Sequence, residues 1–378
     1  MAESPGRPDG PVAVIGGGIV GASVAYHLTT MAGGTEVVLV DNGQPGAATG
    51  AGAGIVSPWL ENDPRPAYRE LTFAAARSYP RLVAALGATG EIDTGYEVTG
   101  ALNLAPEDEL AELARRAESV RVGDGPEIGD VAVLDAAEAT QRFPPLEGRA
   151  GAVWVSGAAR VDGNRMRSAL LTHARHLGMR ELSGRARLDV RSGRVVGIRV
   201  GEEAIPAAAV VVAAGAWSAA VGQSLGAEID VSPQRGQIVH LHLDGADTAR
   251  LPIVQSRWTN HYLLAFGGCR IVVGATRESV GFDRRVTCAG LAQVLTEALD
   301  VAPGLRDATV VEMRVGFRPT SGDGLPLLGR LQAEPRVIVA TGVGHYGLTV
   351  GPYLGMLAAE VVAGHKPALD ISPFDPER

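Results

Sequence analysis

The sequence predicts an α/β fold in which a domain with a parallel sheet is joined to a second, α+β domain built on a largely antiparallel sheet. The first of three supporting observations is a β-α-β pattern at the start of the chain. Strands that alternate apolar and polar residues follow in the middle, and a buried strand with a helix returns near the C-terminus. A length of 378 residues suits two domains, because a domain usually has roughly 100 to 200 residues.

The β-α-β unit begins with an apolar run at residues 11–15 that ends in glycines. A helix follows, because Val20, Val24 and Leu28 recur on one helical face. A second β-rich run at residues 35–40 is closed by Asp41. Such a unit needs a crossover helix, so its strands are expected to be parallel.

The remaining elements are predicted from periodicity and from Gly and Pro punctuation. Residues 42–58 form an unusually long loop of small residues. We expect helices at residues 66–86, 106–120 and 162–177, with a last helix that contains Leu354, Leu357 and Val361. We expect strands at residues 97–104, 185–190, 193–200, 209–213, 229–243, 262–266, 270–274 and 337–341.

Nucleotide-domain elements at both ends of the chain imply a discontinuous domain. The α/β domain is expected to comprise residues 1–95, 145–228 and 312–378. The α+β domain, which would hold the substrate, is expected to comprise residues 96–144 and 229–311.

Composition excludes several classes of protein. The 34 Lys and Arg residues against 42 Asp and Glu give a net charge of −8, without the basic patch of a nucleic-acid-binding domain. Two cysteines, Cys269 and Cys288, are too few for a disulfide framework or a thiolate metal site, so we predict no metal. The N-terminus is polar, so we expect no signal peptide, and the longest apolar stretch, residues 207–217, is shorter than the ~20 residues of a membrane span. We predict a soluble, cytoplasmic protein, and the sequence leaves its oligomeric state open, a homo-oligomer included.

A G-x-G-x-x-G motif lies between the first strand and its helix. Gly16, Gly18 and Gly21 form it, and Ile19 and Val20 begin the helix whose N-terminus can hold a pyrophosphate. Asp41 follows Gly16 by 25 residues, close to the ~20 expected for an acid that binds a ribose hydroxyl. The motif therefore predicts a Rossmann-like dinucleotide site for NAD or FAD. NADP is disfavoured, because the carboxylate would repel its 2′-phosphate. The alternative is a glycine-rich turn that binds no nucleotide.

The segment after Asp41 favours FAD over NAD, because an NAD domain normally continues with a helix. Small residues here allow backbone amides to approach a long, flat ligand. Long loops inside compact domains are usually functional, which argues against a surface linker. The candidate contacts in this segment are Asn42, Ala48, Thr49, Gly50, Gly52, Ala53 and Gly54.

Further motifs occur in order along the chain, at residues 211–218 (VVAAGAWS), 233–237 (PQRGQ), 316–319 (GFRP), 323–329 (DGLPLLG) and 341–348 (TGVGHYGL). With the early glycine motif and loop, they make nearly the whole chain resemble the D-amino-acid oxidase superfamily of flavoproteins, in its glycine oxidase and sarcosine oxidase branch. The resemblance implies a glutathione-reductase-like FAD-binding domain. It adds the cofactor contacts Ala214, Gly215, Trp217, Gly344, His345, Gly347, Leu348 and Thr349.

The resemblance also implies the substrate site. Arg318 matches the residue that clamps the substrate carboxylate, and Tyr262 matches a second carboxylate ligand. His345 and Tyr346, which lie between glycines, complete the predicted site. The alternative for Arg318 is a structural ion pair, and the alternative for Tyr262 is a tyrosine of the core. Arg235 is given no catalytic role, because its motif is also explained by structure alone.

The sequence departs from this branch at two points, which affect the carboxylate site and the attachment of the flavin. Relatives carry another Arg just after the position of His345, whereas Tyr346 and Gly347 follow here, so the second carboxylate contact is expected to differ. Covalent flavin attachment in relatives uses a Cys near the Arg-Pro motif or a His in the early loop. Cys269 and Cys288 precede Arg318 by 49 and 30 residues and the loop has no His, so we predict noncovalent FAD.

The implied activity is oxidation of an amine-bearing small acid, of the glycine, sarcosine or D-amino acid type. A hydride would pass from Cα to flavin N5, water would hydrolyse the imine, and O2 or another acceptor would reoxidise the flavin. A nicotinamide dehydrogenase, an FAD-dependent dehydrogenase with a non-oxygen acceptor, and a flavin module of a larger modifying assembly are the alternatives.

Overall fold

The computed structural model describes residues 10–31, 34–61, 63–88, 90, 93–123 and 125–378. These residues form eight helices, which are α1 (Ile19–Thr30), α2 (Pro66–Gly87), α3 (Glu107–Val122), α4 (Ala136–Arg142), α5 (Gly163–His176), α6 (Ser218–Gly222), α7 (Cys288–Val301) and α8 (Gly347–Val362). They also form twenty strands, which are β1 (Val12–Ile15), β2 (Val37–Asp41), β3 (Ile55–Val56), β4 (Glu97–Val98), β5 (Ala101–Leu104), β6 (Val131–Leu134), β7 (Ala152–Val155), β8 (Ala159–Arg160), β9 (Arg180–Ser183), β10 (Ala186–Arg191), β11 (Arg194–Val200), β12 (Glu203–Pro206), β13 (Ala209–Val212), β14 (Ser232–His242), β15 (Ile253–Ser256), β16 (Tyr262–Phe266), β17 (Arg270–Gly274), β18 (Thr309–Thr320), β19 (Leu327–Arg330) and β20 (Val337–Thr341).

A six-stranded sheet has the order β19-β20-β13-β1-β2-β9. Strand β1 pairs in parallel with β2 and with β13, and β13 pairs in parallel with β20. Only the edge strand β19 is antiparallel among the pairs described for this sheet. The carboxyl ends of the parallel strands therefore meet at one edge, where open α/β sheets bind ligands.

The two faces of this sheet pack against different layers, because successive side chains of a strand point to opposite faces. Val12 and Val14 of β1 join the core shared with helices α1 and α8. Ala13 and Ile15 join a second core with the three-stranded sheet β10-β11-β12. The result is a three-layer arrangement, and it confirms the predicted Rossmann-like fold.

Helices α1 and α8 cross closely because small residues line their contact. A Cβ built on Gly355 would lie 2.5 Å from the Cβ of Ser23, a distance that side chains do not tolerate. The Ser23 hydroxyl donates to the carbonyl of Pro352 at 2.6 Å. This contact fixes α8, whose N-terminus reaches the site described below.

An eight-stranded sheet has the order β18-β14-β17-β16-β15-β5-β7-β6, in which β15 and β5 are the parallel neighbours. The long strands β14 and β18 pair from Ser232 with Thr320 to His242 with Thr309. Helix α7 packs on β14 and β17. This largely antiparallel sheet is the second unit that the sequence predicts.

The structure confirms several expected elements and corrects others. Strands β16, β17 and β20 have the predicted bounds. The strand expected at residues 97–104 is divided into β4 and β5, because Gly100 has a φ of +73° and a Cβ there would lie 2.0 Å from the ring of Trp154. The expected hairpin at residues 185–200 gains a third strand, β12, and the long loop at 42–58 contains β3.

The predicted division into domains stays a prediction. Two strands that it assigns to the parallel-sheet domain, wholly or in part, belong to the other sheet. Strands β7 and β18 belong to the eight-stranded sheet, whereas the prediction puts residues 145–228 and all residues from 312 onwards with the parallel sheet. The chain crosses between the two sheets within these segments. Among the described residues, no helix is long and apolar enough to span a bilayer.

Candidate active site

A cavity of about 760 Å³ lies between the two large sheets. On one side it is bounded by the carboxyl ends of β1, β2, β13 and β20, through Ile15, Asp41, Ala213 and Thr341. On the other side it is bounded by the face of the eight-stranded sheet that carries Tyr262. The sequence motifs from the two halves of the chain therefore meet at one cavity.

Most predicted cofactor contacts line this cavity. They are Gly18, Ile19, Val20, Asp41, Asn42, Ala48, Thr49, Gly52, Ala53, Gly54, Ala214, Gly215, Trp217, Gly344, His345, Gly347 and Leu348. Four predicted contacts lie behind the wall instead, namely Gly16, Gly21, Gly50 and Thr349. Each of these four has close contacts with neighbouring backbone or side chains that explain its identity.

The glycine turn at the start of α1 is shaped by contacts between backbones. A Cβ on Gly21 would lie 1.9 Å from the carbonyl oxygen of Gly16, and one on Gly16 would lie 2.4 Å from that of Ala213. Gly16 also has a φ of +105°. Gly16 and Gly21 therefore close the strand-to-helix turn and leave Gly18 at the cavity.

Asp41 is held inside this turn. One carboxylate oxygen accepts from the Gly17 N–H at 3.1 Å, and the other accepts from the Gly43 N–H at 3.0 Å. Arg167 on α5 donates to the Gly17 carbonyl and lies 3.4 Å from the carboxylate of Asp41. Asp41 thus shapes the turn as well as facing the cavity.

The small-residue loop lies against both α8 and β18. A Cβ on Gly52 would lie 2.8 Å from Leu348, and Thr49 accepts the Ile19 N–H at 3.0 Å. Gly50 faces away from the large cavity, where a Cβ would meet Asn164 at 3.1 Å. Thr349 donates to the Ile55 carbonyl at 2.7 Å and so anchors α8 to β3.

Strand β18 is joined to the same loop. The Phe317 N–H donates to the Gly46 carbonyl at 2.9 Å, and Arg314 donates to the Gly50 carbonyl at 3.0 Å. A Cβ on Gly46 would lie 2.5 Å from the ring of Phe317, so glycine is required there. The strand that carries Arg318 is therefore aligned on the loop predicted to hold the cofactor.

These walls fit FAD. A Cβ on Gly215 or Gly344 would meet no atom within 4 Å, and one on Gly18 would meet only Thr49, at 3.3 Å. These three glycines line the cavity from three different segments, so bare backbone faces open space along its length. A long, flat dinucleotide can approach such a surface closely. Neither cysteine lines the cavity.

Arg318 and Tyr262 lie side by side in the half of the cavity that the eight-stranded sheet lines. The Arg318 guanidinium covers Gly236, where a Cβ would lie 2.5 Å from Nη1. Nη1 donates to the Thr276 carbonyl at 3.0 Å, and no described acidic side chain pairs with the guanidinium. The Tyr262 ring covers Gly274 in the same way, with its hydroxyl 3.0 Å from the position of a Cβ.

Burial acts on both groups. It lowers the pKa of Arg318, and the nearby Tyr262 opposes that change. It raises the pKa of Tyr262, with the charges of Arg318 and Arg277 opposing. At neutral pH the pair therefore presents a cation and a hydroxyl donor.

Arg277 is a site residue that the sequence analysis missed. It follows β17 by three residues, lines the cavity, and places its charge near Tyr262, Arg318 and His345. No described acidic residue pairs with it. Arg277 therefore brings a second guanidinium to the cavity, although the sequence lacks the Arg expected after His345.

The PQRGQ motif holds the segment that carries Arg277. Arg235 is 3% exposed, forms ion pairs with Glu278 and with Asp283 (3.2 Å to Asp283), and donates to the Asp283 carbonyl at 3.0 Å. Gln237 donates to Glu278 at 2.8 Å and accepts the Thr287 N–H at 2.9 Å. Arg235 therefore has a structural role, as the sequence motif suggested, because it fixes the segment that contains Glu278 and Asp283.

His345 and Tyr346 both lie on the cavity wall. The Tyr346 hydroxyl donates to Glu61 at 2.6 Å, and burial raises its pKa well above the usual value. Desolvation lowers the pKa of His345 to about 4; the charge of Glu61 opposes this, and Arg277 and Arg318 add to it. His345 is thus a neutral imidazole at neutral pH.

Two further polar residues of the cavity, Asn103 and Gln255, were also missed. They lie in strands β5 and β15, whose other residues are almost all apolar. A polar residue inside a buried apolar strand was the available signal. Glu61 gave no signal, because its loop has no periodicity.

Comparisons with known proteins agree with this geometry. The model of the FAD dependent oxidoreductase family, DAO, matches residues 11–361. "Uncharacterized oxidoreductase YurR" of Bacillus subtilis strain 168 is 41% identical over 366 residues, which cover 96% of this chain and 97% of that protein.

Two solved structures are similar over nearly the full length. Iminodiacetate oxidase (IdaA) from Chelativorans sp. BNC1 has a TM-score of 0.93 and 40% identity, with 97% of this chain and 98% of that chain covered. Glycine oxidase from Geobacillus kaustophilus has a TM-score of 0.86 and 28% identity, with 99% of each chain covered.

Proposed function

Because the chain belongs to the family of FAD-dependent oxidoreductases, we propose that it oxidises the C–N bond of a small amino acid or secondary amine. The candidate substrates are of the glycine, sarcosine or D-amino acid type. Iminodiacetate is a further candidate, because one of the similar structures is named iminodiacetate oxidase. A cytoplasmic location remains a prediction from the sequence. FAD is the cofactor of the family and, when bound, supplies the acceptor for the two electrons and the hydrogen of the substrate C–H bond.

One observation carries the proposal: the Arg318 guanidinium faces the cavity without an acidic partner among the described residues. A partly buried cation without a counter-charge favours an anionic partner, so the site suits an anionic ligand. The planar guanidinium can bind a carboxylate through two parallel hydrogen bonds. Thr276 and Gly236 fix its position from behind.

Neighbouring groups complete the carboxylate site. Tyr262 keeps its proton at neutral pH, because burial raises its pKa, and it can donate to the same carboxylate. Arg277 adds a second cation on the same side. Neutral His345 adds no further positive charge near the amine. Together these residues orient the substrate, and orientation alone can contribute several powers of ten to a rate.

The acceptor that reoxidises the flavin is part of the proposal. Both similar structures carry the name oxidase, which supports O2. An FAD-dependent dehydrogenase with another acceptor is the alternative, and the experiment below separates the two.

The test is anaerobic mixing of the holoenzyme with glycine, sarcosine, D-alanine and iminodiacetate, followed by admission of air. We expect at least one amine to bleach the oxidised flavin, and air to restore it with formation of hydrogen peroxide. Arg318→Lys should lower kcat/KM by about a hundredfold, because Lys loses the bidentate geometry. The matched control is Arg250→Lys, since Arg250 is exposed and lies outside the cavity.

Each contrary result is informative. No bleaching by any of the four compounds would refute the proposed reaction. Bleaching without recovery in air would favour the dehydrogenase. Equal activity of Arg318→Lys and wild type would remove Arg318 from the carboxylate site.

A further inference from the structure

The cavity continues past Tyr262 along a single row of the eight-stranded sheet. Gln255 is the cross-strand partner of Tyr262, and Asn103 is the partner of Gln255 on the next strand. Paired residues of neighbouring strands point to the same face, and all three residues line the cavity. Because strands lie about 4.8 Å apart, Asn103 is roughly 10 Å from Tyr262, on the side away from Gly274.

The two amides are held by the sheet and face the cavity. Asn103 is 5% exposed and donates to the Val153 carbonyl at 3.3 Å, which fixes its side chain. The Gln255 side chain is half-buried and has no hydrogen-bond partner among the described residues. The Gln255 amide at the cavity wall is therefore free to bind a ligand there.

Arg257 lies at the end of the same row. It follows Gln255 by two residues, so it leaves β15 at the sheet edge where Arg277 leaves β17. Strand β16 separates the two, which places their backbones on the order of 10 Å apart. The side chain of Arg257 lines the cavity and pairs with no described acidic residue. The backbones of Arg277 and Arg257 therefore lie on opposite sides of the strand that carries Tyr262.

Charge in this half of the cavity is unbalanced. Arg257, Arg277 and Arg318 line it against one acid, Glu61, among the described residues. A single carboxylate bound by Arg318 and Arg277 leaves the charge of Arg257 available to a second carboxylate on the Gln255 side of Tyr262.

We propose that Gln255, Asn103 and Arg257 form a second carboxylate subsite, and that the substrate is a secondary amine with a carboxylate on each arm. The inference rests on the proposed function, because it assumes that Arg318 and Arg277 hold the first carboxylate. The amine between the two arms then lies over Tyr262. Gln255 and Asn103 offer amide N–H donors to the second carboxylate, and Arg257 offers its charge.

The test uses two unreactive carbon analogues, so it does not depend on turnover. Glutarate has the length of iminodiacetate and both carboxylates, whereas butyrate has the length of sarcosine and one carboxylate. Titration of the holoenzyme, followed by the flavin spectrum or by calorimetry, gives the two Kd values. We expect glutarate to bind at least tenfold more tightly than butyrate, because a charge-assisted hydrogen bond is gained.

Variants assign the difference to residues. Arg257→Met and Gln255→Leu should each bring the two Kd values closer by about tenfold. Arg250→Met is the control and should leave their ratio unchanged, because Arg250 is exposed and outside the cavity. Arg257 is itself exposed, so its variant is expected to fold even if Gln255→Leu does not.

The outcomes separate this proposal from the reaction on which it rests. Equal Kd values for glutarate and butyrate, or a ratio unchanged in Arg257→Met, would overturn the second subsite. Failure of the amine panel to bleach the flavin would refute the proposed reaction, whatever the two Kd values are. Preference for glutarate that disappears in Arg257→Met supports the subsite in either case.

Discussion

The Arg318 guanidinium covers Gly236, so Gly236→Ala tests how strictly its position controls the reaction. A Cβ at residue 236 would lie 2.5 Å from Nη1 and 2.6 Å from Cζ and Nη2. Gly236 is within strand β14 and its φ is not positive, so alanine is compatible with the backbone. The substitution therefore changes the space under Arg318 while the sheet remains.

The size of the effect follows from these distances. A carbon atom and a guanidinium atom need about 3.5 Å, so the guanidinium must move by about 1 Å. A misplacement of this size at a positioning group can cost about a hundredfold in rate. We expect kcat/KM for a carboxylate substrate to fall by about that factor and the Kd of butyrate to rise.

The assay compares steady-state kinetics and butyrate binding in wild type and variant. Gly267→Ala is the matched control, because it lies in the turn between β16 and β17 and its Cβ would meet nothing closer than Ala249, at 4.0 Å. Thermal unfolding of both variants reports on the fold. If Gly236→Ala has wild-type kinetics and wild-type affinity for butyrate, then Arg318 is not the carboxylate ligand.

Three further predictions concern the cofactor and the loop. Acid precipitation should release FAD into the supernatant, because no cysteine lines the cavity, and colour that stays in the pellet would contradict noncovalent binding. Asp41→Ala should weaken FAD affinity by about 1.5 to 3 kcal/mol, since a charged acceptor of two turn amides is lost, and an unchanged Kd for FAD would contradict this role. The hydrogen bond from Arg235 lowers the pKa of Glu278 to about 2, so its stabilisation is present above about pH 4.5 and is lost as the pH falls towards 2. Glu278→Gln should therefore lose less unfolding free energy than wild type between pH 5 and pH 3 in urea titrations, and equal losses would refute the assignment.

The parts of the site that are contiguous in sequence could be predicted from the sequence. Gly16 to Gly21 and Asp41 carry a local signal, because one turn and one β-α-β unit determine their geometry. The structure places the predicted Arg318, Tyr262, His345 and Tyr346 at one cavity, and the role of each stays a proposal.

Asn103 was missed because its place depends on pairing between distant strands, β5 with β15, about 150 residues apart in the chain. Gln255 and Arg277 lie on or just after strands that are neighbours of β16 in the chain. They were missed because the sequence predicted no strand at residues 253–256 and no element that contains Arg277. The place of Arg318 over Gly236 follows from the register of β14 with β18, which only the folded sheet determines.

The joining of the small-residue loop to β18 has a consequence for recombination between relatives. Phe317 binds the Gly46 carbonyl, and its ring occupies the space that a side chain at residue 46 would need. Arg314 binds the loop again at Gly50. A chimera that takes residues 46–54 from one parent and β18 from another would combine surfaces that never co-evolved, next to Arg318. The two segments, about 260 residues apart in the chain, therefore behave as one exchangeable block, and a library that keeps them together should retain more active members.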